Sequence, residues 1–230
     1  MTLSKRLSLI GSMVRSGSRV CDVGTDHGYL PAFLYKSGKC ESVCATDIKE
    51  KPLLSARKNL AAAGAEGVEL YLCDGLDKIT REMADTVIIA GMGGEVISGI
   101  IARADFLRDN TVTLILQPTT SADKLREFLA ANGFAVLCEK AISENGKLYS
   151  VIQCAFCETR YPIDGVRKYI GFIKPDYEDG RAYIEKQYRI IEKRVEELEN
   201  AGMNDYRQRE DKETLAKLKK LLGEGEKNGV

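Results

Sequence analysis

Four short clusters in this sequence combine acids with glycines, and each follows an apolar run. They are Asp22-Val23-Gly24-Thr25-Asp26-His27-Gly28, Thr46-Asp47-Ile48, Asp74-Gly75-Leu76 and Ala90-Gly91-Met92-Gly93-Gly94. Each has a chemical use if the runs are strands that deliver the clusters to one edge of a sheet. Asp47 can accept hydrogen bonds from both hydroxyls of a ribose. Gly24 lets the backbone approach a ligand closely. Asp74 is placed to meet the exocyclic amine of an adenine, with Leu76 as an apolar wall. Asp22 can reach an ammonium, directly or through water. An adenosine with a positive charge nearby fits this set better than a pyrophosphate does.

Rival ligands fit less well. The first turn runs from Gly24 to Gly28 without the second glycine that makes room for a dinucleotide pyrophosphate. Asp26 would also point a negative charge at the phosphates. No Gly-x-x-x-x-Gly-Lys-Ser/Thr occurs, which excludes a P-loop. S-adenosylmethionine is the remaining candidate. The expected cofactor set is Asp22, Gly24, His27, Asp47, Ile48, Asp74, Gly75, Leu76, Gly91, Met92 and Gly93. The bland alternative makes these acids only helix caps and turn residues.

The elements that must position this set are legible as apolar runs. They fall at residues 19–22, 42–47, 68–73, 86–90, 111–117, 134–142 and 148–156. Amphipathic or alanine-rich stretches lie between most of them, at 29–37, 52–63, 95–104 and 122–131. Continuous apolar strands alternating with helices predict a mostly parallel sheet covered on both faces. Ligands of such sheets bind outside the carboxyl ends of the strands. Only residues 143–147 separate the last two runs, so the last strand should run antiparallel to its neighbour. Ahead of the sheet, Leu3, Leu7, Ile10 and Val14 recur at helical spacing.

After Tyr161-Pro162 the strand pattern stops. Ile184, Tyr188, Ile191, Val195 and Leu198 form an a/d seam, Asn200-Ala201-Gly202 is a stop, and Leu215, Leu218 and Leu222 mark a second helix. The expectation is an α/β domain over residues 1–160 and a coiled-coil-like helical hairpin over 161–230. That hairpin either packs mainly on itself or grips a substrate. Residues from Gly223 onward read as a frayed end.

Composition narrows the function classes. The 230 residues hold 34 basic and 34 acidic side chains, which excludes a bulk polycation but not a local basic face. Residues 1–20 carry Lys5, Arg6, Arg15 and Arg19 and no acid, a basic bias expected beside the mouth of the site. His27 is the single histidine, which removes most catalytic zinc architectures. Most of the seven cysteines lie in strand-like runs, where a free thiol packs as a small hydrophobe in a reducing cytoplasm. Cys154 and Cys157 would point to opposite faces of an extended strand, so no metal is expected. No stretch approaches the roughly 18 apolar residues of a membrane span. The amino terminus reads as mature sequence rather than a signal peptide.

Several of these segments resemble the bacterial TrmK family. They are Asp22 to Pro31, Ala45-Thr46-Asp47, Asp74-Gly75-Leu76, Ala90 to Gly94, Leu116-Gln117-Pro118, Leu3 to Leu7 and Glu144 to Tyr149. One departure is Ser150, where the family pattern has a glutamate after the tyrosine. The resemblance covers nearly the whole chain. It implies a class I S-adenosylmethionine-dependent methyltransferase fold with a small coiled-coil-like domain. It also implies methyl transfer to N1 of an adenine, position 22, in tRNA.

The chemistry then assigns roles. Asp26 is the first choice for the carboxylate that stabilises the charged product and takes a proton from N6, with His27 positioning it or the cofactor. Tyr29 either stacks on the base or belongs to the core. Glu95 is a second candidate acid, although it opens a helix where the dipole alone favours it. Arg6, Tyr29 and Gln117 are expected at the substrate. N1 lies on the Watson–Crick edge, so a paired adenine must first be exposed. Affinity for tRNA should come mostly from phosphate contacts. Lys217, Lys219 and Lys220 either touch RNA or form a solvated face. A cytoplasmic monomer is expected. The rival functions are a methyltransferase acting on a small molecule or protein, and a non-catalytic RNA- or nucleotide-binding module.

Overall fold

A computed structural model of the chain describes residues 3–202 and 206–224. Its sheet has seven strands: β1 (Arg19–Val23), β2 (Ser42–Asp47), β3 (Glu69–Leu72), β4 (Thr86–Gly93), β5 (Thr113–Thr120), β6 (Phe134–Glu144) and β7 (Lys147–Phe156). Their order is β3-β2-β1-β4-β5-β7-β6. The first five run parallel, and β7 lies antiparallel to both β5 and β6. Every apolar run is a strand, as expected. The central strands are buried on both faces, which is why they read as continuous rather than alternating runs.

Helices cover both faces. On one side α1 (Lys5–Met13), α2 (Tyr29–Lys36) and α3 (Glu50–Ala62) pack Ile10, Leu30, Leu34 and Leu60 against Val20, Ile88 and Ile115. On the other, α4 (Gly94–Arg103) and α5 (Ala122–Ala131) pack Ile97, Ile101, Leu125 and Leu129 against Val87, Leu114 and Leu116. Strand order reverses direction between β1 and β4. That is the switch point where open α/β sheets leave a crevice.

The carboxyl-terminal part contains α6 (Gly165–Ile170), α7 (Glu178–Asn200) and α8 (Tyr206–Glu224). The sequence reading missed α6. Six residues are too few to display a helical period, and its signal was Asp164, whose Oδ1 accepts from the Arg167 N–H at 2.8 Å. The predicted seam and stop lie on α7, with Gly202 at φ +67 just beyond it. Residues 225–230, the rest of the expected frayed end, lie outside the described residues.

The helices pack on one another and on the β6–β7 hairpin as well. Ile170, Tyr183, Ile184, Ile191 and Leu218 share a core with Ala141 of β6. At its edge Arg126 of α5 and Glu139 of β6 form a buried ion pair at 2.7 Å, with side chains 2% and 0% exposed. Arg126 also donates to the carbonyls of Lys168 and Tyr169 and to the Tyr183 hydroxyl. The Phe172 N–H donates to the other Glu139 oxygen. Burial opposes the Arg126 charge, but Glu139 and Tyr183 outweigh it and hold the guanidinium above its ordinary pKa. Among the described residues no helix is long and apolar enough to cross a membrane.

Candidate active site

A cavity of about 450 Å³ opens at the switch point, lined in part by Arg6, Asp22, Gly24, Asp26, His27 and Gly91. The turn after β1 builds one wall. The N–H groups of Gly24 and Thr25 both donate to the Thr46 carbonyl, at 2.8 and 3.0 Å. Gly24 has φ +73, and the Met92 methyl lies where its Cβ would stand. Asp26, at φ +52, and Gly28, at φ +71, complete the turn in left-handed conformations that tighten it.

The three candidate catalytic residues leave this turn together. The Asp26 carboxylate is 71% exposed and pairs with His27 Nε2 at 3.4 Å. The His27 ring stacks on Tyr29 with centroids 5.5 Å apart. Asn59 Nδ2 donates to the His27 carbonyl at 2.9 Å and steadies the turn from α3. Tyr29 stands exposed at the cavity mouth rather than in the core.

Asp22 is the opposite case, buried at the cavity floor. Burial pushes its carboxyl up to about 6. The Thr25 hydroxyl beside it tempers that rise, and the Asp47 charge adds to it. Thr25 Oγ1 is itself buried without a hydrogen-bond partner of ordinary geometry. Among the described residues no basic side chain pairs with Asp22.

The facing wall comes from β4. Ala90 pairs with Gln117 and Met92 with Pro118, so Gly91 is an extra residue in the strand. Its φ of +79 marks a bulge, which turns its N–H toward Gln117 Oε1 at 3.1 Å. Gln117 is fully buried, and its Nε2 donates to the Pro118 carbonyl at 2.8 Å. Arg6 Nη1 donates to the same Oε1. The Gln117 amide is thus occupied by protein, and it braces Arg6 and Gly91 rather than facing the cavity.

Glu144, at the end of β6, is the residue that received no role from the sequence. Its Oε1 accepts from the Arg6 N–H at 2.9 Å and its Oε2 from Arg6 Nε at 3.5 Å. Partial burial raises its carboxyl, but the Arg6 hydrogen bonds and charge outweigh this and hold it below the ordinary range. Its partner lies 138 positions away, so no local pattern announces the pair. Only its place in a matching motif could have pointed to it.

The remaining expected residues share the sheet edge but do not line this cavity. The Lys49 N–H donates to Asp47 Oδ1 at 2.9 Å, and Ile48 is 62% exposed. The Thr46 hydroxyl donates to the Gly75 carbonyl at 2.8 Å, tying the ends of β2 and β3 together. Asp74 pairs with Arg103 at 3.0 Å, and Leu76 is buried in the core. Gly93 caps α4 beside Thr120. Glu95 lies in the first turn of α4 and does not line the cavity. The amino-terminal basic residues are more dispersed than expected. Arg6 reaches the cavity, but Arg19 stands at the amino end of β1, paired with Asp85 at 3.6 Å. A strand's two ends lie on opposite edges of the sheet, so this basic bias is not one patch.

A methyltransferase domain family matches residues 3–152. The Bacillus subtilis tRNA (adenine(22)-N(1))-methyltransferase is 31% identical over 174 residues, 75% of this chain and 73% of the relative. The chain belongs to the tRNA (adenine(22)-N(1))-methyltransferase family. Solved structures of the family extend the likeness to nearly every residue. The Streptococcus pneumoniae putative tRNA (m1A22) methyltransferase, in complex with S-adenosyl-L-methionine, is 30% identical with a TM-score of 0.76, covering 96% of this chain and 100% of its own. The Bacillus subtilis M1A22 tRNA methyltransferase TrmK is 26% identical with a TM-score of 0.79, covering 97% and 98%.

The site fits the methyl donor of this family. S-adenosylmethionine carries a sulfonium and an ammonium. The cavity offers the buried Asp22 carboxylate, which has no basic partner among the described residues, with the Thr25 hydroxyl beside it and a glycine turn that leaves room for close approach. Among the described residues no group of three metal-ligating side chains occurs.

Proposed function

We propose that this chain transfers the methyl group of S-adenosylmethionine to N1 of adenine 22 in tRNA. Membership of the family carries the reading, and the buried Asp22 in the switch-point cavity, with no basic partner among the described residues, is the observation of this structure that supports it most. The donor supplies an electrophilic methyl on a sulfonium sulfur and leaves as the thioether. Adenine N1 holds its own lone pair, so no base is needed before attack. Its electrons form the new N–C bond while the C–S pair withdraws onto sulfur.

The chain's own residues bind, align and manage charge. Alignment alone supplies roughly 7–11 kcal/mol in well-oriented reactions. Asp22 holds the ammonium end of the donor. Asp47 takes the ribose hydroxyls and Asp74 the adenine amine, with Ile48, Gly75, Leu76 and Met92 shaping the adenosine side. Asp26 stabilises the ring charge and accepts the N6 proton, held in place by His27. Tyr29 stacks on the flipped adenine. The division at residue 160 separates a methyl-transfer domain from helices that contact tRNA. The protein acts as a cytoplasmic monomer.

The deciding experiment is methyl transfer from labelled S-adenosylmethionine to unmodified tRNA, followed by nucleoside mass spectrometry. N1-methyladenosine mapped to position 22 is the expected product. Binding of the donor without any labelled nucleoside would refute the acceptor.

A further inference from the structure

Methylation at N1 of a paired adenine requires that base to leave its stack, which also exposes the bases beside it. An unstacked base is best held against aromatic or apolar side chains with a hydrogen-bonding group at hand. Beside the switch-point cavity lies a second cleft, of about 310 Å³, between the carboxyl end of β5, the start of β7 and one face of α7. We infer that this cleft receives a base next to the methylated adenine. This rests on the proposed tRNA acceptor and deepens it.

Three observations carry it. First, the cleft adjoins the site. Gln117 braces Arg6 and Gly91 on the cavity side, and the next two residues, Pro118 and Thr119, line the cleft. The Thr119 hydroxyl donates to the Met92 carbonyl at 3.0 Å. Arg6 lines the cavity and Tyr149 the cleft, and the Arg6 guanidinium carbon lies 5.4 Å from the centre of the Tyr149 ring. This pair partitions the two spaces, so consecutive nucleotides can occupy both. Second, α7 presents groups there that its own packing does not use. Ile184, Ile191 and Val195 are buried in the terminal core. Gln187 and Ile190, neighbours at i and i+3, lie on another face and line the cleft. Ile190 is 48% exposed, a large apolar side chain left in water. The Gln187 amide has no hydrogen-bond partner among the described residues. Third, the charges of the cleft are already matched. Arg126 is held by Glu139 at 2.7 Å and Arg194 by Asp211 at 2.6 Å. Lys186 and Asp123, the other charged residues of the lining, have opposite signs. A charge-balanced cleft with an apolar wall suits an uncharged aromatic base better than a phosphate.

In this scheme Ile190 packs on the face of the base. Gln187 reads its edge, since an amide both donates and accepts. Tyr149 closes the cleft toward the target adenine. The terminal helices thereby contribute to acceptor choice at a nucleotide the catalytic cavity does not touch.

Binding and methylation of three unmodified tRNA transcripts by the full chain test this. One is intact, and the other two carry an abasic nucleotide immediately 5′ or 3′ of the target adenine. One of the abasic transcripts should bind the parent protein about fivefold or more weakly than the intact one, the scale of a lost stacked base. Ile190→Ala and Gln187→Ala should each weaken the intact transcript by about three- to tenfold. Their affinity for S-adenosylhomocysteine should equal the parent's, which shows that the fold and the cavity are intact. On the sensitive abasic transcript both variants should bind as the parent does, because the base they touch is already gone. Equal binding of all three transcripts by the parent would overturn the assignment. So would variant losses that persist in full on the abasic RNA, which would place Gln187 and Ile190 against another part of the tRNA. Failure of the parent to methylate the intact transcript would instead bring down the acceptor reading beneath it.

Discussion

Asp22 and the Arg126–Glu139 pair are both buried charges, and their surroundings differ in kind. Arg126 and Glu139 satisfy each other and draw in two carbonyls, a phenol and a backbone N–H. Among the described residues Asp22 has no basic partner, and only the Thr25 hydroxyl beside it eases its burial. A complete network fixes how two parts of a chain meet. An incomplete one leaves capacity for something that arrives later. The first is an architectural joint, and the second is the acid to which the proposed function gives the donor's ammonium.

This contrast predicts opposite responses to mutation. Glu139→Ala should destabilise the protein by about 3–5 kcal/mol in denaturant unfolding, because it strands the Arg126 charge. A combined Arg126→Met, Glu139→Leu should restore most of that stability. A loss from Glu139→Ala below about 1 kcal/mol would place the pair with ordinary surface ion pairs.

Asp26 sharpens the contrast as an exposed acid beside the same cavity. Asp26→Ala should lower kcat by about 100-fold or more, the usual scale for a general acid–base group, with S-adenosylhomocysteine affinity unchanged. Normal turnover would move the charge-stabilising role elsewhere.

Asp22→Asn should behave as neither of these. It should weaken S-adenosylhomocysteine by about tenfold or more, since a charged hydrogen bond is lost. It should also raise the stability of the ligand-free protein above pH 6 by on the order of 1 kcal/mol. The sign follows from the raised carboxyl. The protonated form is the one the fold prefers, so the stability Asp22 contributes is present below the unfolded value near 4 and fades as pH rises through about 6. Unfolding midpoints of both proteins between pH 4 and 8 read this directly.

The smallest effect is on the ligand's own pH profile. An ammonium prefers the ionised Asp22, so affinity should rise with pH to about 6 and then level off. A flat profile from pH 5 to 7 would show that Asp22 does not meet the charge.

The sheet was legible because its strands are covered on both faces and therefore read as uninterrupted apolar runs. The acid–glycine clusters were legible because each sits at the end of such a run. The latch of Glu144 on Arg6 was not, because packing of α1 on the end of β6, rather than spacing along the chain, brings them together. Nothing in their spacing marks Arg126 and Glu139 as partners. The available signal was that Arg126 lies among Leu125, Leu129 and Ala130 on the buried side of α5, where a lone charge must find a partner. Gln117 stands in the matching Leu116-Gln117-Pro118 segment and is expected at the substrate, whereas the engagement of its amide by Arg6, Gly91 and Pro118 is not visible in the sequence.

The β6–β7 hairpin carries both kinds of site on one strip. Glu144 near its tip clamps the first helix over the donor cleft, and Glu139 further down the same strand holds the terminal helices. The stretch between them spans about 17 Å of strand. Antiparallel pairing stiffens that strip along its length. It is therefore a single stiff strap that ties the first helix and the terminal helices to one paired strip of sheet.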